Sequence, residues 1–200
     1  GKTVRDVSFT LRAGEIVGIA GLVGSGRTET ALTIFGITPA TAGEILIDGK
    51  PVHITSPQQA RDLGIAYVPE DRGLQGLVRP QTIAENISLT VLKKLARAFL
   101  IDRGKEDGLA RDFIKRLGIR ARGPGQAARQ LSGGNQQKVV LAKWLAAEPR
   151  ILIMDEPTRG IDVGAKSEIH ALMSKLAQNG LAIPSSSSET PEVPGMRDRE

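Results

Sequence analysis

Cysteine is absent from the 200 residues, which excludes a disulfide framework and any thiolate metal site. Aromatic residues make up only 3%, with one Trp, one Tyr and four Phe, so little material exists for stacking nucleic-acid bases. No run approaches the roughly 20 apolar residues of a membrane-spanning helix, and the N-terminus lacks a signal-peptide pattern. Work at a membrane would require another anchor. A block of one charge is missing too: 27 Lys and Arg are scattered among 22 Asp and Glu, for a net charge of +5. With no basic run longer than Lys93-Lys94, this reads as a solvated surface, and nucleic acid is not an expected partner.

What is present fits one α/β core, since 200 residues are too few for two independent domains of ordinary size. Ile16 to Ala20 is an apolar run, and Glu44 to Ile54 alternates around Asp48-Gly49 as a hairpin does, giving a small antiparallel β layer. Ser56-Pro57 with Gln59 and a closing Gly64 carries the start and stop signals of a short helix. The apolar run Ile65 to Val68 then predicts a buried strand. Thr82 and Glu85 form a capping box, and Leu109, Phe113, Ile114 and Leu117 mark an amphipathic helix, so residues 71–137 are expected to be a helical insertion. Gln136 to Ala147 predicts helix and Ile151 to Met154 a buried strand. Helix returns where Ile169, Leu172, Met173 and Leu176 follow i, i+3, i+4, i+7 spacing. Strands alternating with helices imply a mostly parallel sheet. Leu181 to Ile183 begins like a strand, but Pro184 cannot donate a ladder hydrogen bond and four serines follow, so 184–200 is expected to be irregular.

Gly21-Leu22-Val23-Gly24-Ser25-Gly26-Arg27-Thr28 sits between an apolar strand and a helical segment, the setting of a phosphate-binding loop. Residues without Cβ let the backbone curl so that successive N–H groups face phosphate oxygens, and the helix start adds partial positive charge. The same composition also suits a strand-to-helix turn without a ligand. Such loops end in Gly-Lys-Ser/Thr, whereas Arg27 takes the lysine position and Thr28 keeps a hydroxyl suited to Mg2+. The exchange is not conservative, because a planar guanidinium differs from a compact ammonium in reach and volume. Ile151 to Met154 ends in Asp155-Glu156, the form of a Walker B strand. Asp155 would hold Mg2+ through water and Glu156 would orient the attacking water, although a solvated strand end is the plainer alternative.

Leu131-Ser132-Gly133-Gly134-Asn135-Gln136-Gln137 matches the LSGGQ-type signature of ABC ATPases, in which Ser132 and the amides of Gly133 and Gly134 grip a phosphate presented by a partner domain. Gly160-Ile161-Asp162 has the form of the loop that follows Walker B in that family. The strings GLVGSGRTE, YVPEDR, LSGGNQQKV and MDEPTRGIDVGAK more narrowly resemble the second nucleotide-binding half of bacterial ATPases that power import of ribose, galactose and xylose. The resemblance implies a P-loop NTPase core of RecA-like type with a helical subdomain, and ATP and Mg2+ as cofactors. Its implied partners are a first nucleotide-binding half in the same polypeptide, membrane permease subunits and, indirectly, a periplasmic sugar-binding protein. The implied location is peripheral, at the cytoplasmic face of the inner membrane. It further implies a strand with an adenine-stacking aromatic before Gly1 and more sequence after Glu200, so a single ABC ATPase domain truncated at both ends is expected.

By the same resemblance, Glu70 stands where the family has a glutamine that contacts Mg2+ and the permease, and Ser188 where it has a γ-phosphate histidine. Arg27, Glu70 and Ser188 match the degenerate state usual for the second half, so the isolated chain is expected to bind ATP weakly and hydrolyse it very slowly. The intact Ser132 turn would complete the first half's site. Two other classes compete with this reading. An ABC ATPase of DNA repair or translation would need coiled-coil insertions or clustered basic surface that the sequence lacks. A non-hydrolysing structural or regulatory ATP-binding module is supported by Arg27, Glu70 and Ser188 and opposed by Glu156 and Ser132.

Overall fold

The computed structural model describes residues 4–22, 24–97 and 100–187, which form two compact units. The described residues up to Tyr67, with Pro149–Glu156 and those from Ser174 onward, make the first; Val68–Glu148 with Pro157–Met173 make the second.

The first unit opens with β1 (Ile16–Ala20), which runs through the glycine loop into α1 (Arg27–Ile34). A hairpin follows, β2 (Ile45–Ile47) and β3 (Lys50–Val52), paired antiparallel. Its turn residues Asp48 and Gly49 have φ of 52° and 72°, the left-handed pair that a tight hairpin turn demands and that an Asp-Gly sequence supplies. The short helix α2 (Pro57–Asp62) is capped by the Ser56 side chain, which accepts the Gln59 N–H, and β4 (Ile65–Val68) comes next.

In the second unit, a π-helical turn at Arg72–Gly76 precedes α3 (Ile83–Ser88), whose Thr82–Glu85 capping box is complete on both sides. The short α4 (Leu92–Leu95) leads to a minimal hairpin, β5 (Ala96–Arg97) with β6 (Leu100–Ile101), that the sequence did not announce. It is followed by α5 (Arg103–Arg116) and by α6 (Gly133–Leu145), which starts three residues earlier than its apolar pattern suggested. The chain then returns through β7 (Ile151–Asp155), α7 (Val163–Gln178) and β8 (Ile183–Ser187).

The sheet order is β1-β8-β7-β4, with β8 parallel to both β1 and β7. The core holds Val68, Leu152, Met154 and Ile183, each shielded from solvent, as the apolar runs required. The parallel strands β1, β7 and β8 end toward the glycine loop, Glu156 and Ser187, the edge where α/β sheets gather ligand-binding groups.

Residues 184–187 correct the expectation of an irregular tail, because they are the buried centre of this sheet. Ile183–Ser187 pair in unbroken register with Ile16–Ala20. On the other side the ladder is interrupted: Ile151 bridges Ala182, and pairing resumes only at Met154 with Ser185 and Asp155 with Ser186. The gap falls at Pro184, whose missing N–H removes one rung without displacing the strand. Residues 188–200 lie outside the described residues.

Candidate functional site

In the first unit, the loop from Gly21 to Thr28 is shaped by positive φ at Gly24 (80°) and Gly26 (98°), a region that L side chains enter only with strain. The Ser25 N–H donates to the Leu22 carbonyl at 3.0 Å, closing a turn within the loop. A Cβ on Gly21 would lie 2.5 Å from Ser25 Oγ, so that glycine is needed for packing. Gly26 is the N-cap of α1 and brings no side-chain acceptor, so the opening N–H groups of that helix are left uncapped by it. Such an end suits an anion. Thr28 occupies the second position of α1, half-buried.

Arg27, the first residue of α1, directs Nη1 to within 2.9 Å of Glu156 Oε1, and both side chains are only 9% exposed. Nη1 makes no aligned hydrogen bond, so this contact is a charge pair. Glu156 itself has φ 46°, a left-handed conformation uncommon for a residue with a Cβ. Its N–H donates to the Ser186 Oγ at 3.2 Å and to the Ser186 carbonyl at 3.3 Å.

Asp155 is fully buried at the end of β7 and accepts one hydroxyl on each oxygen, from Ser186 Oγ at 2.5 Å and from Tyr67 at 3.2 Å. The Tyr67 hydroxyl is pushed well above its ordinary range, by burial first and by the adjoining Asp155 charge second, so it acts as a fixed donor. Each Asp155 oxygen retains lone-pair capacity. Mg2+ takes one or two carboxylates together with phosphate oxygens and water, so the donor types at Asp155 and Thr28 fit that ion. Among the described residues, no group of three or more His, Cys, Asp or Glu forms a self-contained metal site.

In the second unit, Ser132 is the N-cap of α6, yet its side chain does not bond the helix N–H groups. Its Oγ accepts instead from Asn135 Nδ2 at 2.8 Å, while Asn135 Oδ1 accepts the Arg120 N–H at 2.8 Å. Because the exposed Ser132 hydroxyl accepts from the amide, its own O–H bond remains available to donate. Gly134 is buried, and a Cβ there would lie 2.5 Å from the Ala165 Cβ, so close packing of α6 on the first turn of α7 requires a glycine. At Gly133 a Cβ would lie 2.8 Å from Arg72 Nη2. Asp162 caps α7, its Oδ1 accepting the Ala165 N–H at 2.9 Å. Glu70 is ion-paired with Arg159.

The structure thus brings Arg27, Asp155 and Glu156 together in the first unit, and Ser132, Gly133 and Gly134 at one helix start in the second. Ser188 lies outside the described residues. Tyr67 and Ser186 were missed as site residues. Tyr67 carried only the signal of an apolar strand, and Ser186 was concealed in a serine run that lacks strand character.

A family model described as "ABC transporter" matches residues 4–159. The ribose import ATP-binding protein RbsA 1 of Rubrobacter xylanophilus is 53% identical over 197 residues, covering 98% of this chain and 40% of that protein. RbsA of Geobacillus kaustophilus is 53% identical over 194 residues, covering 97% of this chain and 39% of that protein. The chain therefore spans about 40% of the length of the curated relatives it matches. Among solved structures, a nucleotide-free ATP-binding cassette from an ABC transporter superposes with TM-score 0.81 at 20% identity, over 96% of this chain and 78% of that one. A bacterial ABC transporter cassette solved as a dimer gives TM-score 0.78 at 26% identity, over 96% of this chain and 82% of that one.

Proposed function

Because the chain belongs to the ABC transporter ATP-binding family, we propose that it is the second nucleotide-binding half of an ATPase driving import of ribose or a similar monosaccharide. In this reading Gly21 to Thr28 binds the phosphates of ATP, and Thr28 and Asp155 hold Mg2+, which supplies neutralisation of phosphate charge. By resemblance to the family, Glu70 and Asp162 also serve in nucleotide binding. Ser132, Gly133 and Gly134 grip the γ-phosphate of nucleotide bound to a first half, which carries out most of the hydrolysis. The remaining partners are membrane permease subunits and, through them, a sugar-binding protein, which puts the chain at the cytoplasmic membrane face.

The observation that carries this division of labour is the Arg27–Glu156 pair. The residue in the lysine position spends its charge on the carboxylate that would orient water, while the Ser132 turn keeps its hydroxyl proton and helix start available. That combination supports a domain that lends its signature more than it turns over its own ATP.

The same pair favours a second reading, a non-hydrolysing ATP-binding module. ATP and ADP affinities measured with and without the matching first half separate the two. A gain of ATP over ADP on pairing supports the assembled ATPase, and equal affinities support the module.

The direct test is titration of a fluorescent ATP analogue with Mg2+ into the chain, beside Arg27→Ala and Gly26→Asp. Binding that Gly26→Asp abolishes is expected, since φ 98° at Gly26 is strained for any L side chain and the substitution adds a negative charge to the loop. Binding that survives Gly26→Asp would place the nucleotide elsewhere.

A further inference from the structure

Arg72 closes the YVPEDR string but carries no role above, yet its guanidinium connects three segments of the second unit. Nη1 donates to the Arg159 carbonyl at 2.8 Å and Nη2 to the Gly160 carbonyl at 3.0 Å. The same Nη2 occupies the space beside Gly133, where a Cβ would approach it to 2.8 Å. The position of Arg72 is itself fixed, because Asp71 Oδ1 accepts the N–H groups of Gly73 and Leu74 at 2.8 and 3.0 Å and so pins the turn. Two residues before Arg72, Glu70 pairs with the Arg159 side chain. One short stretch after β4 therefore holds residues 159–160 by backbone and by side chain.

We propose that Arg72 is a positioning residue for the signature turn: its fork fixes the Arg159–Gly160 backbone while its edge seats Gly133, keeping Ser132–Gly134 in the arrangement that meets a phosphate. The functional part rests on the ATP-binding reading above; the clamp itself does not. Two successive carbonyls suit arginine, whose planar fork holds two N–H bonds in fixed geometry, one from each terminal nitrogen. The donors of a lysine ammonium diverge from a single nitrogen and do not reproduce that spacing or fill the space beside Gly133. Gly133 gains a second reason to lack a side chain, since the guanidinium edge fills that space. Gly160, at φ 65°, is likewise a position where the backbone suits glycine.

Hydrogen exchange of this chain, read on peptides covering 131–137 and 157–162, tests the clamp in wild type, Arg72→Met, Arg72→Lys and Gly133→Ala. Both Arg72 variants are expected to raise exchange in the two peptides about tenfold, with melting temperature held within about 3 °C. The lysine variant decides the role, because a contribution of charge or bulk alone is rescued by lysine and fork geometry is not. Gly133→Ala, by pushing the fork aside, is expected to raise exchange at 157–162 and to add nothing in the Arg72→Met background. Wild-type exchange in Arg72→Lys, no change in either Arg72 variant, or full additivity with Gly133→Ala would overturn the proposal. The wild-type titration with the ATP analogue stands apart: its failure counts against nucleotide binding, and the exchange result still judges Arg72.

Discussion

Arg27 and Glu156 form a charge pair at 2.9 Å in which neither side chain is more than 9% exposed. Each neutralises the other in a place where an unpaired charge is expensive. Removing only one partner leaves the other desolvated, so Arg27→Ala is expected to cost about 3 kcal/mol in urea unfolding. In Arg27→Ala/Glu156→Gln neither charge remains, and most of that loss should return, giving a coupling of about 1–3 kcal/mol in the double-mutant cycle. Additive losses would mean that the pair is not formed in solution.

Ser186 and Tyr67 share the task of satisfying Asp155, but unequally. Ser186 donates to one carboxylate oxygen and accepts the Glu156 N–H, whereas Tyr67 makes a single longer bond. Loss of a buried carboxylate's donor costs about 1–3 kcal/mol, so Ser186→Ala should fall near the top of that range and Tyr67→Phe near the bottom. Ser186→Thr keeps the hydroxyl in a strand-favouring residue and is expected to remain within about 1 kcal/mol of wild type. Equal urea midpoints for Ser186→Ala and Ser186→Thr would remove the hydroxyl from the account.

These two sites show where sequence stops being informative. The glycine loop, the carboxylates at the end of β7 and the Ser132 turn were legible because each needs particular residue types at fixed spacing: glycine for left-handed backbone, acids at a strand end, a serine and two glycines at a helix start. The Asp48-Gly49 turn and the Thr82–Glu85 box were readable for the same reason, being contacts among near neighbours. The bond between Ser186 and Asp155 spans 31 positions and that between Tyr67 and Asp155 spans 88, so neither leaves a local pattern. Pro184 misled because the rule against proline in central strands concerns one hydrogen bond, while five residues of register with β1 and burial of the whole strand outweigh it. Gly134 was read for its amide, and its packing against Ala165 became visible only once α6 and α7 were in place.

That packing yields its own test. A Cβ on Gly134 would lie 2.5 Å from the Ala165 Cβ, a short stub with no flexible end to swing aside. Gly134→Ala should cost about 1–3 kcal/mol through overpacking. Ala165→Gly in the same chain restores the space, and the double variant should regain more stability than the roughly 1 kcal/mol that a helix glycine costs. A double variant no more stable than Gly134→Ala would place the requirement for glycine elsewhere.

Lys143 sets a pH dependence that can be isolated. Its ammonium is buried in α6, donates to the Gly76 carbonyl and lies 5.4 Å from the centre of the Trp144 ring. Burial lowers its pKa from 10.5 to about 8. Below pH 8 the lysine is protonated in both folded and unfolded chains and contributes no slope. Between about 8 and 10.5 the unfolded chain holds a proton that the folded chain has released, so stability attributable to this group rises with pH. The rise amounts to about 3 kcal/mol by the top of the window. Unfolding followed through Trp144, the single tryptophan, should therefore give a stability difference between wild type and Lys143→Met that shifts toward wild type as pH climbs from 8 to 10.5. A difference that stays constant across that window would mean that the folded chain keeps Lys143 charged throughout, with the Gly76 carbonyl and the Trp144 ring compensating for its burial.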